Sequence, residues 1–317
     1  MMMKRAPFRR QIEVRLFTAG AINIAPAALF LASCAACCDA QVVVQFAPAA
    51  DTTIYESSSA LPLANGGGTH LFIGNNSLDA TRRTLLRFDV SAIPAGSVVQ
   101  SVQLRMDVNQ DANATPLPAN VFAVTRAWCE GTTVAGGAQG GGGAAQSGDA
   151  TWHAACLGSV NWSLRGGDFD ETVLSSILMA GIATYTWPTS PDFVGVVQTW
   201  VDAPASNFGL MVQGDESSMS TAKRMLSRES MDVSKRPALI VVYQPAAACD
   251  GIDFNRNDVF PEDQDVIDFF NVLAGADCPY TPGAGDVCDI DFNNNGVFPE
   301  DQDVIDFFAV LAGGECS

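Results

Sequence analysis

Twelve consecutive residues of this chain occur twice without a change, which commits the carboxy-terminal end to two like units. Val259-Phe260-Pro261-Glu262-Asp263-Gln264-Asp265-Val266-Ile267-Asp268-Phe269-Phe270 returns 38 residues later as Val297 through Phe308. Upstream, Ile252-Asp253-Phe254-Asn255-Arg256-Asn257-Asp258 pairs with Ile290-Asp291-Phe292-Asn293-Asn294-Asn295-Gly296. A unit of about thirty residues is too short to hold itself by apolar burial alone. From Cys249 onward there are sixteen acidic residues and one basic one, Arg256. Something must offset that charge.

Oxygen side chains two residues apart suit a hard divalent cation. Calcium takes six to eight oxygens, and EF-hand loops supply them from positions 1, 3, 5, a backbone carbonyl at 7 and a carboxylate at 12. Asp291, Asn293, Asn295 and the Val297 carbonyl fill the first four places in one unit. Asp253, Asn255, Asn257 and the Val259 carbonyl fill them in the other. Position 12 is Gln264 or Gln302, so the closing carboxylate comes from Asp263 or Asp265, and from Asp301 or Asp303. Asp265 and Asp303 serve only if the loop carries one extra residue. Asp258 stands where the sharp turn favours glycine. Pro299 suits the first helical position, with Glu300 and Asp301 in the first turn. Val304, Ile305, Phe307, Phe308 and Leu311 make an apolar helical stripe, and Gly313 fits a stop. Phe269, Phe270, Phe307 and Phe308 either pack the two helices together or face a partner. The alternative to two calcium sites is an Asx-rich turn that starts a helix, held by disulfides without metal. A calcium loop feeding a helix, present twice, resembles a dockerin. That resemblance covers residues 245–317 and implies attachment to a cohesin-like or envelope protein.

The amino terminus has the order of an export signal. Five basic residues (Lys4, Arg5, Arg9, Arg10, Arg15) precede an apolar stretch from Ala19 to Ala32 and small residues up to Ala40. The stretch is short for a membrane span and is broken by Asn23 and Pro26. Residues 1–40 therefore read as a signal peptide, with no transmembrane segment left after its removal. Leu31-Ala32-Ser33-Cys34 also resembles a lipobox, which would anchor the protein through a lipidated Cys34. The expected location is secreted and cell-surface associated. Removing the leader takes the formal charge from −18 to −21, which argues against nucleic acid or an anionic membrane as partner.

Six cysteines remain beyond the leader, an even number that reads as disulfides in an exported protein. Their layout suggests that Cys129 and Cys156 bridge across a glycine-rich insertion. Cys249 with Cys278, and Cys288 with Cys316, would bracket the repeats 249–278 and 288–316. Zinc is the rival, but no CxxC pair lies outside the leader, and His70 and His153 fall outside the repeats.

Residues 41–244 carry strand signals. Thr84–Val90 alternates, as do Val102, Leu104, Met106 and Val108 against Gln103, Arg105 and Asp107, predicting half-buried strands. Val121–Val124, Phe208–Gln213 and Ala238–Tyr243 are further short strands. Turn residues at Asn65–Gly68, Gly74–Asn76 and Pro94–Gly96 separate them. Many short strands at this spacing predict an antiparallel sandwich. Residues 131–148, rich in Gly and Ala, read as a mobile loop.

The same segment resembles a DNRLRE domain. The resemblance rests on Ala50-Asp51-Thr52-Thr53-Ile54, Asn65-Gly66-Gly67, Leu71-Phe72-Ile73-Gly74 and above all Arg83 through Pro94 followed by Ser101–Met106. Trp128-Cys129-Glu130-Gly131, Thr151-Trp152, Val197-Gln198-Thr199-Trp200 and Arg236 through Tyr243 continue it in order. It implies a jelly-roll-like sandwich of bacterial surface proteins, some relatives of which bind carbohydrate, acidic polysaccharides of the alginate type included. Sugars are held by exposed aromatic faces with polar groups nearby. The candidates are Tyr55, Trp128, Trp152, Trp162, Trp187 and Trp200. The landmark tryptophans Trp128, Trp152 and Trp200 read as core, while Trp162 and Arg165, beside the insertion, are freer to face a ligand.

No GxSxG, HExxH or Cys-His pair marks a catalytic site. A carboxylate pair for glycoside hydrolysis lacks any sequence signature and stays open as an alternative. A structural surface-layer role without a glycan ligand is a second alternative. The expectation is a mostly β protein: a jelly-roll-like antiparallel sandwich, then a small α-helical, dockerin-like calcium-loop domain, non-catalytic and built to bind.

Overall fold

The computed structural model describes residues 41–58, 61–245, 249–280, 290–294, 297–314 and 316. The proposed leader with Cys34, and Cys288, Asn295 and Gly296 in the repeats, lie outside the described residues. The chain opens with β1 (Val42–Phe46), β2 (Pro48–Tyr55), β3 (Leu63–Ala64), β4 (His70–Asn75) and β5 (Thr81–Phe88). Next come β6 (Val98–Asp111), β7 (Leu117–Ala123), β8 (Gly143–Ala144), β9 (Ala154–Cys156), β10 (Val160–Asn161), β11 (Ser175–Met179) and β12 (Thr184–Trp187). Helix α1 (Pro191–Asp202) is followed by β13 (Leu210–Gln213), β14 (Lys223–Leu226), β15 (Ala238–Gln244), α2 (Asp263–Leu273) and α3 (Asp301–Leu311).

The protein is mostly β. One antiparallel sheet runs β1-β15-β6-β14-β4-β5-β13-β7-β11, with β12 also on β6 and β2 also on β5. Long β6 is shared: β15 pairs its first part and β14 its end, with a register shift in each ladder. The sheet curls around one large core. That core takes Val102, Leu104, Met106 and Val108 from β6, Leu86 and Phe88 from β5, Leu210 and Val212 from β13, and Leu239 and Val241 from β15. The alternation expected for β6 is therefore met, with the small exception of Asp107, and the strand expected at Ala238–Tyr243 is β15. Asp107 is buried and accepts from the Thr184 hydroxyl at 2.8 Å. The turn expected at Gly74–Asn76 begins two residues late, at Asn76. Asn75 closes β4, and the Asn76 side chain caps the turn by accepting from Leu78 and Ala80 N–H.

Strand β5 departs from the half-buried reading, since Thr84, Leu85, Leu86 and Phe88 are all fully buried. Leu86 and Phe88 enter the main core. Leu85 faces the other way into a second core with Ile54, Phe122, Met211, Trp128, Trp152 and Trp162. Residues from the insertion region cover the outer face of β2, β5, β13 and β7, so both faces of β5 leave water. The bridge Cys129–Cys156 holds the base of that cover, with Cα atoms 5.0 Å apart.

The glycine-rich stretch 131–148 is an ordered strap, not a mobile loop. Asp149, fully buried, accepts from Thr132 N at 2.9 Å, Thr133 N at 3.3 Å and Gln146 N at 2.7 Å, and from the Thr133 hydroxyl. Ala135 N donates to Asn65 Oδ1, the Tyr55 hydroxyl donates to Gln139 O, and β8 pairs with β3. Glycine makes the approach possible. A Cβ on Gly66 would stand 1.9 Å from the Glu130 carbonyl oxygen.

Helix α1 sits where only strands and turns were expected. Ser190 caps it by accepting from Phe193 N at 3.0 Å, Pro191 opens it, and Phe193, Val197, Trp200 and Val201 form its buried face. Among the described residues, no helix is long and apolar enough to cross a membrane.

In the tail the four phenylalanines Phe254, Phe269, Phe292 and Phe307 form a separate core. Phe269 and Phe307 stack at 4.4 Å, and Phe254 and Phe292 each meet their own unit's ring edge-on at 5.3 and 5.2 Å. Phe270 and Phe308 remain substantially exposed. Cys249 bridges to Cys316, not to Cys278, and Cys278 is a free thiol. The ring stack lays the units side by side, and Asp250 N donates to Phe292 O at 2.8 Å, which brings the first segment against the second. The bridge therefore joins the ends of the tail across both units instead of closing each alone. Helices α2 and α3 begin two residues after the prolines. Glu262 and Glu300 take the N-cap position, so Pro299 precedes the cap.

Candidate functional site

Three strand-end segments meet beside the strap to form a cleft of about 290 Å³, lined among others by Tyr55, Leu63, Trp152, His153, Ala154 and Asn161. Tyr55 ends β2, and Trp152 and His153 precede β9. Asn161 closes β10, which pairs with β9. The walls are apolar and aromatic. The rim is polar, with His153 and Asn161 exposed. Among the described residues, no carboxylate lines this cleft. Tyr55 is almost wholly buried; burial pushes its phenol pKa well up, despite the opposing Thr53 hydroxyl and the Arg82 charge. It is a neutral donor. Arg83 lies over the Trp152 ring at 5.0 Å and pairs with Glu216 at 2.8 Å, fixing the indole from behind.

Of the expected ligand residues, Trp162 does not face solvent. Its ring is 6% exposed in the second core, and its indole N–H donates to Thr151 O at 2.8 Å. The loop that carries Trp162 covers an apolar sheet face instead of standing free of it. Trp162 supports the cleft from below by holding the residue before Trp152. Arg165 is exposed but is not among the cleft residues. His153 and Asn161 are exposed rim residues of the cleft that the reading of the sequence did not single out. Neither polar residue stands out without the pairing of β9 and β10.

The loop carrying Arg165 is tied by Asp168, whose carboxylate accepts from Ser163 N and Leu164 N at 3.0 Å each and pairs with Arg126. Burial opposes ionisation, but these donors outweigh it and bring the pKa to about 2 from 3.8. A depressed carboxyl stabilises the fold above its unfolded value and loses that contribution as pH falls through the folded one. Protection of the Ser163 and Leu164 amides, taken against the intrinsic exchange rate at each pH, should therefore stay high at pH 5 and fall between pH 3.8 and about 2. Unchanged protection across that window would refute the anchor.

A second groove is lined by Phe72, Asn76, Arg82, Gln110, Lys223 and Arg224. Its cations are engaged: Lys223 pairs with Asp111 at 2.8 Å, Arg82 donates to Gly140 O at 2.7 Å, and Arg224 donates to Asn109 Oδ1 at 2.9 Å.

Residues 42–135 match the sequence model of carbohydrate-binding module family 96. The match covers under a third of the chain and ends inside the strap, taking in Tyr55, Leu63 and the sheet behind the cleft. It agrees with the DNRLRE resemblance over that segment, and such families are non-catalytic binding modules. No curated protein matches the chain.

In the tail, the oxygen-bearing residues gather at the head of each helix. Asp253 accepts from Asn257 N at 3.0 Å and Asp258 N at 2.9 Å, and Asp258 takes the left-handed turn at φ +63°. Asn255 and Asn257 both donate through their side-chain amides to Glu262, at 3.2 and 2.6 Å. Asn293 donates likewise to Asp306 at 3.0 Å. Val259 and Val297 are exposed. Asp291 and Asn293 are buried, and Asn294 N, just after them, donates to Asp291 O at 3.0 Å. The possible closing carboxylates part ways: Asp263 and Asp301 are exposed, whereas Asp265 and Asp303 are wholly buried. Asp265 Oδ1 is 3.4 Å from Asn255 N, so it faces the loop. Burial raises the Asp303 pKa. Glu300 and Asn293 N–H groups oppose this, and the Asp291 and Glu300 charges add to it. Asp265 Oδ2 and Asp303 Oδ1 are buried without a hydrogen-bond partner. Two equivalent acceptors left over at equivalent places fit a cation held by the loop.

Proposed function

We propose that the protein is an exported, non-catalytic binding protein whose sandwich holds a polysaccharide and whose tail, carrying two calcium ions, attaches it to a partner protein or the envelope. The cleft between Tyr55, Trp152, His153 and Asn161 carries the glycan reading, because it joins aromatic walls to a polar rim on a sheet matched by a carbohydrate-binding family. In the tail, Asp253, Asn255, Asn257, the Val259 carbonyl and Asp265 would hold one ion. Asp291, Asn293, Asn295, the Val297 carbonyl and Asp303 would hold the other. A bound ion supplies two positive charges to each loop; the protein's own residues orient the oxygens and start the helix. The pattern resembles a dockerin, which is the reason to expect a cohesin-like or envelope partner. The exposed Phe270 and Phe308 offer that partner an apolar face. The leader order of residues 1–40 and the Cys129–Cys156 bridge support an oxidising location outside the cell.

Affinity gels test the sandwich. The full chain should be retarded by at least one polysaccharide, neutral glycans being favoured by a cleft without charged walls. His153→Ala and Asn161→Ala should each weaken retention about tenfold without lowering the melting temperature. Retention only on alginate-type gels, lost with Arg224→Ala and not with the cleft variants, would move the site to the cationic groove. No retention on any gel would favour a purely structural surface role. Release of reducing ends by the pure protein would make it an enzyme.

A further inference from the structure

Asp51 is a fully buried carboxylate at the start of the sandwich. Around it stand Glu130, just after the Cys129 bridge, and Arg228 and Glu229, just after β14. One carboxylate oxygen from each of Asp51, Glu130 and Glu229 lies within 4.8 Å of the others. Arg228 grips Glu130 with Nε at 2.6 Å and Nη2 at 2.7 Å, and meets Glu229 at 2.9 Å. Asp51 N donates to Glu130 Oε1 and Arg228 N donates to Asp51 Oδ2, each at 2.7 Å. The guanidinium thus meets Glu130 and Glu229, while Asp51 receives the Arg228 backbone N–H.

Both Glu130 oxygens are used. Asp51 Oδ1 and Glu229 Oε2 are buried without a partner. Leaving a buried acceptor unpaired is unfavourable, and more so when it is charged. Burial, then the Glu229 and Glu130 charges, push the Asp51 pKa well above the ordinary carboxylate range, against the Arg228 backbone N–H. None of the three carboxylates lines the cleft, which removes substrate as the natural partner.

We propose that Asp51, Glu130 and Glu229 form a site for one hard divalent cation, calcium in preference to magnesium, inside the sandwich and separate from the tail loops. All the donors are oxygens, which selects against soft metals, and calcium tolerates the irregular set that three distant segments provide. Asp51 is 79 residues from Glu130 and 177 from Arg228, so the ion ties β2, the base of the strap and the turn after β14 into one knot. Arg228 holds the carboxylates in place and lowers their mutual repulsion, but it does not reach the two spare oxygens.

The test uses the full chain carrying Asp265→Asn and Asp303→Asn, so that the tail loops no longer contribute. Equilibrium dialysis with calcium should leave one ion per chain, with magnesium bound at least tenfold more weakly. Calcium at about a hundred times its dissociation constant should raise the sandwich melting temperature by about 5–10 °C. Adding Asp51→Asn or Glu229→Gln should remove that ion and the shift. Glu229 is partly exposed, so its variant serves if Asp51→Asn does not fold. The proposal is overturned if the tail-disabled chain retains no calcium, magnesium or manganese. It is also overturned if both sandwich variants bind as before. A metal-indifferent chain made more stable by Asp51→Asn would mean that a proton shared between carboxylates occupies the place of the ion. Loss of glycan retention, or of calcium from the tail, leaves this ion count unaffected.

Discussion

Chelating calcium from the full chain should lower the melting transition of the tail by about 10–30 °C, and restoring it should bring the transition back. The size follows from mass action. Extracellular calcium modules bind with dissociation constants of ~10⁻⁴–10⁻³ M. Two such sites at 10 mM calcium contribute about 3–5 kcal/mol together, and a domain of this length gains about 4–8 °C per kcal/mol. The residues that distinguish metal from a plain turn are Asp265 and Asp303, each buried with one oxygen unpaired. Asp265→Asn and Asp303→Asn should each cost one bound ion and about half the calcium-dependent shift. Asp263→Asn and Asp301→Asn, at exposed positions, should leave both in place. A tail transition indifferent to calcium, or one moved equally by all four changes, would return the tail to a disulfide-held Asx turn.

What could be read in advance follows from how local the cause is. Strand β6 was legible because its inner and outer faces differ: Val102, Leu104 and Met106 against Gln103 and Arg105. Strand β5 was not, since Leu85 looks solvent-bound until a segment some forty residues on brings Trp128 and Trp152 across it. Helix α1 did carry its own signals, Ser190-Pro191-Asp192 ahead of Phe193, Val197 and Trp200, but they lay inside a run already read as sandwich. The tail cysteines illustrate the opposite limit. Their spacing favoured one bridge per repeat, yet pairing depends on how the two units stack, and the Phe269–Phe307 contact decides that. The candidate loop oxygens were legible from the repeat alone. Which carboxylate faces each loop was not, because the choice between neighbours two apart on a helix rests on where its first turn begins. His153 and Asn161 had no signal at all outside the β9–β10 pair.

The strap is where composition misled most, and it offers the sharpest test of the sandwich. Asp149→Ala should destabilise the protein by about 3–5 kcal/mol and open residues 131–148 to protease, whereas the unchanged chain resists cleavage there. The carboxylate receives the N–H groups of Thr132, Thr133 and Gln146 and the Thr133 hydroxyl, all within its own strap. Removing it strands several buried donors at about 1–3 kcal/mol each, partly relieved as the segment loosens toward water. Glycine gives this stretch no side chains with which to pack, so its order depends on that one acceptor and on Asn65, which accepts from Ala135 N. Once released, the strap would give up the Tyr55–Gln139 hydrogen bond and the β3–β8 pair, both beside the cleft. Glycan retention should then weaken along with protease resistance, while Cys129–Cys156 still tethers the base. Cleavage of the unchanged chain between Gly136 and Gly143 at the rate seen in the variant would show that the stretch is the mobile linker its composition suggests.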